Sequence, residues 1–190
     1  VFSNINYGNI NKAIDKVFKE ANTRAFLVIH KDKIIAERYK KGFDKTSKFL
    51  GWSMTKSIMA TVFGVLEYQN KVDVQQKAPI ESWQNDERKN ITIHNLLQMN
   101  CGLEWDEDYG TISDATTMLF LERDMTKLPE EKELTDKINA SWNYSSGTSN
   151  ILSGILRKQF NSHQAYLDFW YSDFIDKIGM NSMICYRHTF

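Results

Sequence analysis

Ser53 and Lys56 stand three residues apart in "GWSMTKSIMATVFGV", residues 51–65, at the head of a strongly apolar helical pattern. Positions i and i+3 are neighbours on a helix, so this spacing lets the lysine amine meet the serine oxygen. A serine hydroxyl is a poor nucleophile at neutral pH and needs a base within hydrogen-bond reach. A desolvated lysine near other cationic groups accepts a proton more readily. Backbone N–H groups at the helix N-terminus favour a developing negative charge. The pair therefore has the parts of an acyl-transfer device. The plainer reading is a helix end that reaches solvent, since lysine is seldom buried without a partner. This is the only Ser-x-x-Lys in the chain.

A second stretch, "WNYSSGTSNIL" at residues 142–152, puts Tyr144 on a turn just before a helical pattern. A tyrosine so placed can relay protons if a nearby cation lowers its pKa. The alternative is a capping turn, with Ser145, Ser146 and Thr148 as caps and Tyr144 as packing. Other clusters are weaker. Asp106, Glu107 and Asp108 in "WDEDYG" lack the ligand spacing of an EF-hand and read as a solvated loop. His30, His94 and His163 are scattered and make no metal pattern. No Walker-type loop, dinucleotide fingerprint or Gly-x-Ser-x-Gly elbow occurs.

The elements that must position these residues follow from periodicity. Residues 11–20 read as an amphipathic helix, and "RAFLVIH" and "KIIAERYK" as two strands joined by a tight turn at Lys31-Asp32. In the helix near Ser53, Ile58, Val62, Val65 and Leu66 recur at helical spacing, widened by Met59 and Phe63. That pattern predicts a central, mostly enclosed helix. Helices follow in "TIHNLLQM", capped by Thr92 and stopped by Gly102, and in "SDATTMLFLER", capped by Ser113. "GTSNILSGILRKQF" and "SHQAYLDFWYSDFIDKIG" supply two more. A lone hairpin is marginal in water, so further strands are expected beyond Phe190, making this chain an N-terminal portion of a larger protein.

Composition narrows the function classes. The 190 residues are 42% hydrophobic and 13% aromatic, a packed globular chain. Lys+Arg and Asp+Glu balance at 24 each, which gives no electrostatic case for nucleic acid or an anionic membrane. No apolar stretch reaches the roughly 18 residues of a transmembrane helix. Cys101 and Cys185 read as free buried thiols without metal-type spacing. The compartment stays open: periplasmic or secreted if a leader has been removed, otherwise cytoplasmic.

Taken together, three ordered segments resemble the serine β-lactamase and penicillin-binding-protein superfamily. They are most similar to its class C-like branch, which also holds esterases and 6-aminohexanoate-dimer-type amide hydrolases. "GWSMTKS" resembles the nucleophile motif, and "NYSSGTSNILSGIL" the Tyr-x-Asn loop with its following helix. "ITIHNLLQMNCGLEWDEDY" is similar to the segment I-T-I-x-x-L-L-x-M-x-S-G-L-x-W. The resemblance runs from about residue 24 to residue 183.

It implies an α/β (α+β) fold of β-lactamase/D,D-peptidase type, a mixed layer with an antiparallel sheet plus an all-helical region. Residues 1–50 would hold a helix and the first two strands, and 51–183 the nucleophile helix and helical region, of one domain. Ser53 would be the acylated nucleophile, Lys56 its base or proton relay, and Tyr144 the group that protonates the leaving group. The Ser53 backbone N–H would form half of an oxyanion hole. Trp105 and Tyr109 would border the cleft and contact substrate. Ser146 stands where class C β-lactamases carry a substrate-contacting asparagine, which favours the esterase or amidase branch.

The implied substrate is a small ester or amide, with no cofactor. A β-lactamase or D,D-peptidase acting on β-lactams or cell-wall peptides is one alternative. A non-catalytic penicillin-binding-like module is the other, and it has no need of Ser53, Lys56 and Tyr144 together. The superfamily's third motif lies on a later strand; His188-Thr189-Phe190 imitates its first two residues by coincidence. Residues 1–190 alone are therefore expected to be inactive and prone to associate through an exposed sheet edge.

Overall fold

Lys31 and Asp32 both adopt positive φ, 46° and 59°, and this left-handed pair closes a two-residue hairpin turn. The computed structural model describes residues 3–185. In it the turn joins β1 (Ala25–His30) to β2 (Lys33–Tyr39) as an antiparallel pair. Val28 faces Ala36 while Ile29 faces Ile34, so Ile35 is the extra residue of a bulge. The preceding helix, α1 (Tyr7–Glu20), begins four residues before the expected Asn11. Asn6 is the reason: its side chain accepts from the Asn9 N–H at 2.9 Å and caps the earlier turn. Arg38 on β2 ties the hairpin to α1 through Asp15 and Asn11. This compact unit ends at Leu50, and a second begins at Gly51.

The second unit is helical: α2 (Met54–Tyr68), α3 (Ile93–Gln98), α4 (Asp114–Phe120), α5 (Lys127–Glu131), α6 (Ser146–Lys158) and α7 (His163–Phe169). Helix α6 lies at its centre, packed against α2, α3, α4 and α5. Ile151, Leu152, Ile155 and Leu156 make its inward stripe and are buried with Val62, Phe63 and Leu66 of α2 and Ile93 and Leu96 of α3. Burying such side chains contributes roughly 1.5–3 kcal/mol each relative to leaving them in water. The α2–α6 contact is what brings the two candidate stretches, 90 residues apart, into one place.

Several expectations are corrected. Helix α2 is not enclosed: only Val62, Phe63 and Leu66 are fully buried, and Thr61, Gly64, Glu67 and Tyr68 form an outward face. Small and polar residues on that side interrupt the apolar stripe. Helix α3 stops before Gly102, because Met99 itself takes the left-handed conformation, φ 56°. The expected last helix is α-helical only to Phe169 and continues as π-helical turns over Trp170–Ile175. There Trp170 meets Tyr166 and Phe174 edge-on, an aromatic arrangement that a widened helix accommodates.

The capping residues stand as expected. Thr92 and Ser113 each form a reciprocal capping box, with Asn95 and Thr116. Cys101 and Cys185 are both free thiols, and burial raises the pKa of each. His188, Thr189 and Phe190 lie outside the described residues.

Candidate functional site

Ser53 is the N-cap residue of α2, yet its hydroxyl does not cap the helix. Its backbone is already in the right-handed helical region, φ −64° and ψ −9°, which turns Oγ away from the N–H groups it would otherwise serve. The hydroxyl lies instead 3.1 Å from Lys56 Nζ, one turn along. Trp52, just before it, has φ +43°, an uncommon conformation for a bulky residue and a source of local strain. So the i, i+3 spacing places the lysine amine and the serine hydroxyl in contact, with Ser53 exposed and Lys56 half-buried.

The second stretch is held by its own anchors. The Asn143 N–H donates to Met99 O at 2.9 Å, and its side-chain amide donates to Trp105 O at 3.2 Å. Ser145 caps α6 by accepting from the Thr148 N–H at 3.0 Å. Tyr144 is thereby aimed at Lys56, but by its ring: Nζ lies 4.9 Å from the ring centroid, a cation–π approach rather than a hydrogen bond to the phenol. Ser146, the first residue of α6, is buried and receives a 2.9 Å hydrogen bond from Lys56 Nζ. Lys56 thus touches Ser53, Tyr144 and Ser146 at once.

Glu107 is the residue that sequence reasoning missed. Asp106 and Asp108 are exposed, in keeping with a solvated loop, but the side chain between them turns inward. Its Oε1 accepts from the Ser146 hydroxyl and, at 2.5 Å, from Tyr109 OH. Its Oε2 accepts from the Ser146 N–H at 2.8 Å and from the Trp105 indole N–H. The carboxylate therefore sits at the N-terminus of α6, where the helix dipole favours negative charge. Burial pushes the Glu107 carboxyl pKa up, but the hydrogen bonds from Ser146, Tyr109 and Trp105 outweigh it and hold it below the usual range.

The signal that would have found Glu107 is the alternation Trp-x-Glu-x-Tyr, which puts residues 105, 107 and 109 on one side of an extended segment. Trp105 and Tyr109 share this carboxylate but differ in exposure. The Trp105 side chain is in a small core with Ala115 and Met118, only 8% exposed, and its ring lies beneath Gly147. Tyr109 is 56% exposed and keeps one face to solvent. Both burial and the Glu107 hydrogen bond raise its pKa.

Residues 13–186 match the family model described as Beta-lactamase. A 6-aminohexanoate-dimer hydrolase of Paenarthrobacter ureafaciens is 27% identical over 100 residues, covering 50% of this chain and 25% of that protein. The solved structure "Putative 6-aminohexanoate-dimer hydrolase from Bacillus anthracis" superposes with a TM-score of 0.63 at 20% identity, covering 80% of this chain and 44% of that one. The chain thus spans a quarter and under half of the lengths of these two relatives.

Proposed function

We propose that this chain, which belongs to the beta-lactamase family, carries the nucleophile of a serine hydrolase that cleaves a small ester or amide through an acyl-enzyme on Ser53. The observation that carries the reading is the position of Lys56 Nζ, 3.1 Å from Ser53 Oγ and 2.9 Å from Ser146 Oγ. Lys56 Nζ takes the Ser53 proton as Oγ attacks the substrate carbonyl carbon. The oxyanion that forms lies at the N-terminal end of α2, where the Ser53 N–H is one donor. Collapse of the tetrahedral intermediate expels the alcohol or amine, which leaves with the proton Lys56 had taken. Tyr144, against the same ammonium, shares that proton traffic. Water then attacks the acyl-enzyme and releases the acid.

The amide-or-ester assignment is supported by Ser146, a short hydroxyl where the family's β-lactamases place asparagine, and by the name of the relatives, 6-aminohexanoate-dimer hydrolase. Tyr109, exposed beside Ser146, is the side chain best placed to touch the substrate, and Trp105 is tied to it through the shared Glu107 carboxylate.

Treating the full-length protein with a fluorophosphonate probe and mapping the adduct by mass spectrometry tests the reading. A single adduct on Ser53, lost together with ester turnover in Ser53→Ala, is expected. Labelling elsewhere, or undiminished turnover in Ser53→Ala, overturns it.

A further inference from the structure

We propose that Glu107 is a positioning residue that fixes the direction of the Ser146 hydroxyl, so that Ser146 offers Lys56 only lone pairs. The inference rests on the serine-hydrolase reading of Ser53 and Lys56.

A hydroxyl has one proton to donate. Ser146 donates it to Glu107 Oε1, an ionised acceptor and therefore the stronger partner. Its Oγ is then left as an acceptor, and Lys56 Nζ meets it at 2.9 Å as the donor. This polarity matters for a neutral lysine, which has two N–H donors and a single lone pair. If Ser146 donated to Nζ, it would occupy the lone pair that must receive the Ser53 proton. With Ser146 committed to Glu107, a lysine N–H points at Ser146 and the lone pair is left to face Ser53 Oγ, 3.1 Å away. On proton transfer the Ser53 O–H bond breaks, a third N–H bond forms on Nζ, and the N–H held by Ser146 is untouched.

Glu107 does this without reacting itself. A carboxylate has about four lone-pair sites. Four donors fill them: the Ser146 hydroxyl, Ser146 N–H, Tyr109 OH and Trp105 Nε1–H. None is left for substrate, metal or an abstracted proton.

Two of the four donors, the Ser146 and Trp105 N–H groups, cannot reverse. That makes Glu107→Gln an informative variant. Its carbonyl must face those two N–H groups at the Oε2 position, which turns the amide NH2 toward Ser146 Oγ and Tyr109 OH. The glutamine then donates to Ser146, and the Ser146 proton is freed to turn onto Lys56 Nζ, which at 2.9 Å is nearer than the Tyr109 hydroxyl at 3.3 Å. A near-isosteric change inverts the polarity of the chain.

The test measures kcat and KM for a p-nitrophenyl ester, with active sites titrated by the fluorophosphonate, in wild type, Glu107→Gln, Ser146→Ala and the double variant. Glu107→Gln is expected to lower kcat per titrated site by about 10²-fold, the scale of a misdirected catalytic group, with KM little changed. Because Glu107 acts through Ser146, the double variant should be no slower than Ser146→Ala alone. A merely structural role would lower the titrated fraction and leave kcat per site intact, and that result overturns the proposal. So does a Glu107→Gln penalty that persists in full in the Ser146→Ala background. If Glu107→Gln does not fold, Ser146→Ala decides, since it leaves the other three donors to Glu107 in place. An unchanged kcat there overturns the proposal, and a fall of similar size supports it. Failure of the underlying reading is distinct: the wild type would then take no adduct on Ser53.

Discussion

Gly147 lies so close over Trp105 that a Cβ added to it would stand 2.7 Å from the indole Cζ3, with Pro129 Cβ at 2.8 Å on its other side. This contact seats the first turn of α6 on the segment that carries Glu107. Only the absence of a side chain lets the two approach, so Gly147→Ala must push the helix or the ring aside. Overpacking of this kind costs about 1–3 kcal/mol. Chemical denaturation should show the loss, and ester turnover should fall with it because Ser146 moves. Unchanged stability would mean that Trp105 relaxes freely.

Lys56 and Tyr144 are expected to differ in severity. General acid–base groups typically contribute about 10² to 10⁴-fold. Lys56→Met should lose kcat across that range, because Nζ is the group in contact with Ser53 Oγ. Tyr144→Phe keeps the ring beneath Nζ and removes only the phenolic hydroxyl, so it should fall toward the lower end. Steady-state kinetics on one ester and one small amide checks this. A Tyr144→Phe enzyme at full speed on both would make the tyrosine a cation–π support and nothing more.

Substrate choice follows from Ser146. Its hydroxyl is engaged by both Glu107 and Lys56, which leaves no free hydroxyl proton for a substrate's amide side chain. A higher kcat/KM for p-nitrophenyl butyrate than for nitrocefin is the expected ranking. The reverse order would return the protein to the β-lactam-hydrolysing branch.

Acid should weaken the fold partly through Glu107. Its folded-state pKa lies below the ordinary carboxylate value, so the unfolded chain binds the proton more readily. The stabilisation is complete above that ordinary value and is lost as pH falls through the depressed one. Thermal melts of wild type and Glu107→Gln from neutral pH downward should therefore converge below the usual carboxylate range. A difference that stays constant down to the acid limit would contradict the assigned shift.

Much of the local structure was legible in the sequence because it is decided locally. The Lys31-Asp32 turn, the Thr92 and Ser113 caps and the Ser53–Lys56 spacing all depend on residues within four positions of one another. The beta-lactamase family and fold were legible through three ordered segments. What escaped depends on distant partners or on departures from a regular pattern. Glu107 looked solvated because its neighbours are, and its role is set by Ser146, 39 positions on. Helix α5 was passed over because five residues with Pro129 carry no periodic signal, although its proline is tolerated within a first turn. Helix α1 was clipped because Tyr7 and Gly8 hide the turn that Asn6 caps.

The saturated carboxylate at the head of α6 has a consequence for how this protein can vary. Positions 107 and 146 form one hydrogen-bonded unit, so a change tolerated at one depends on what occupies the other. An asparagine at 146 would have to donate its NH2 to Glu107 and turn its carbonyl to Lys56, the two partners that the serine hydroxyl now serves from a single atom. The carboxylate at 107 therefore sets which way round a polar side chain at 146 can sit. The pair should show strong epistasis, each substitution harmful alone and milder in company.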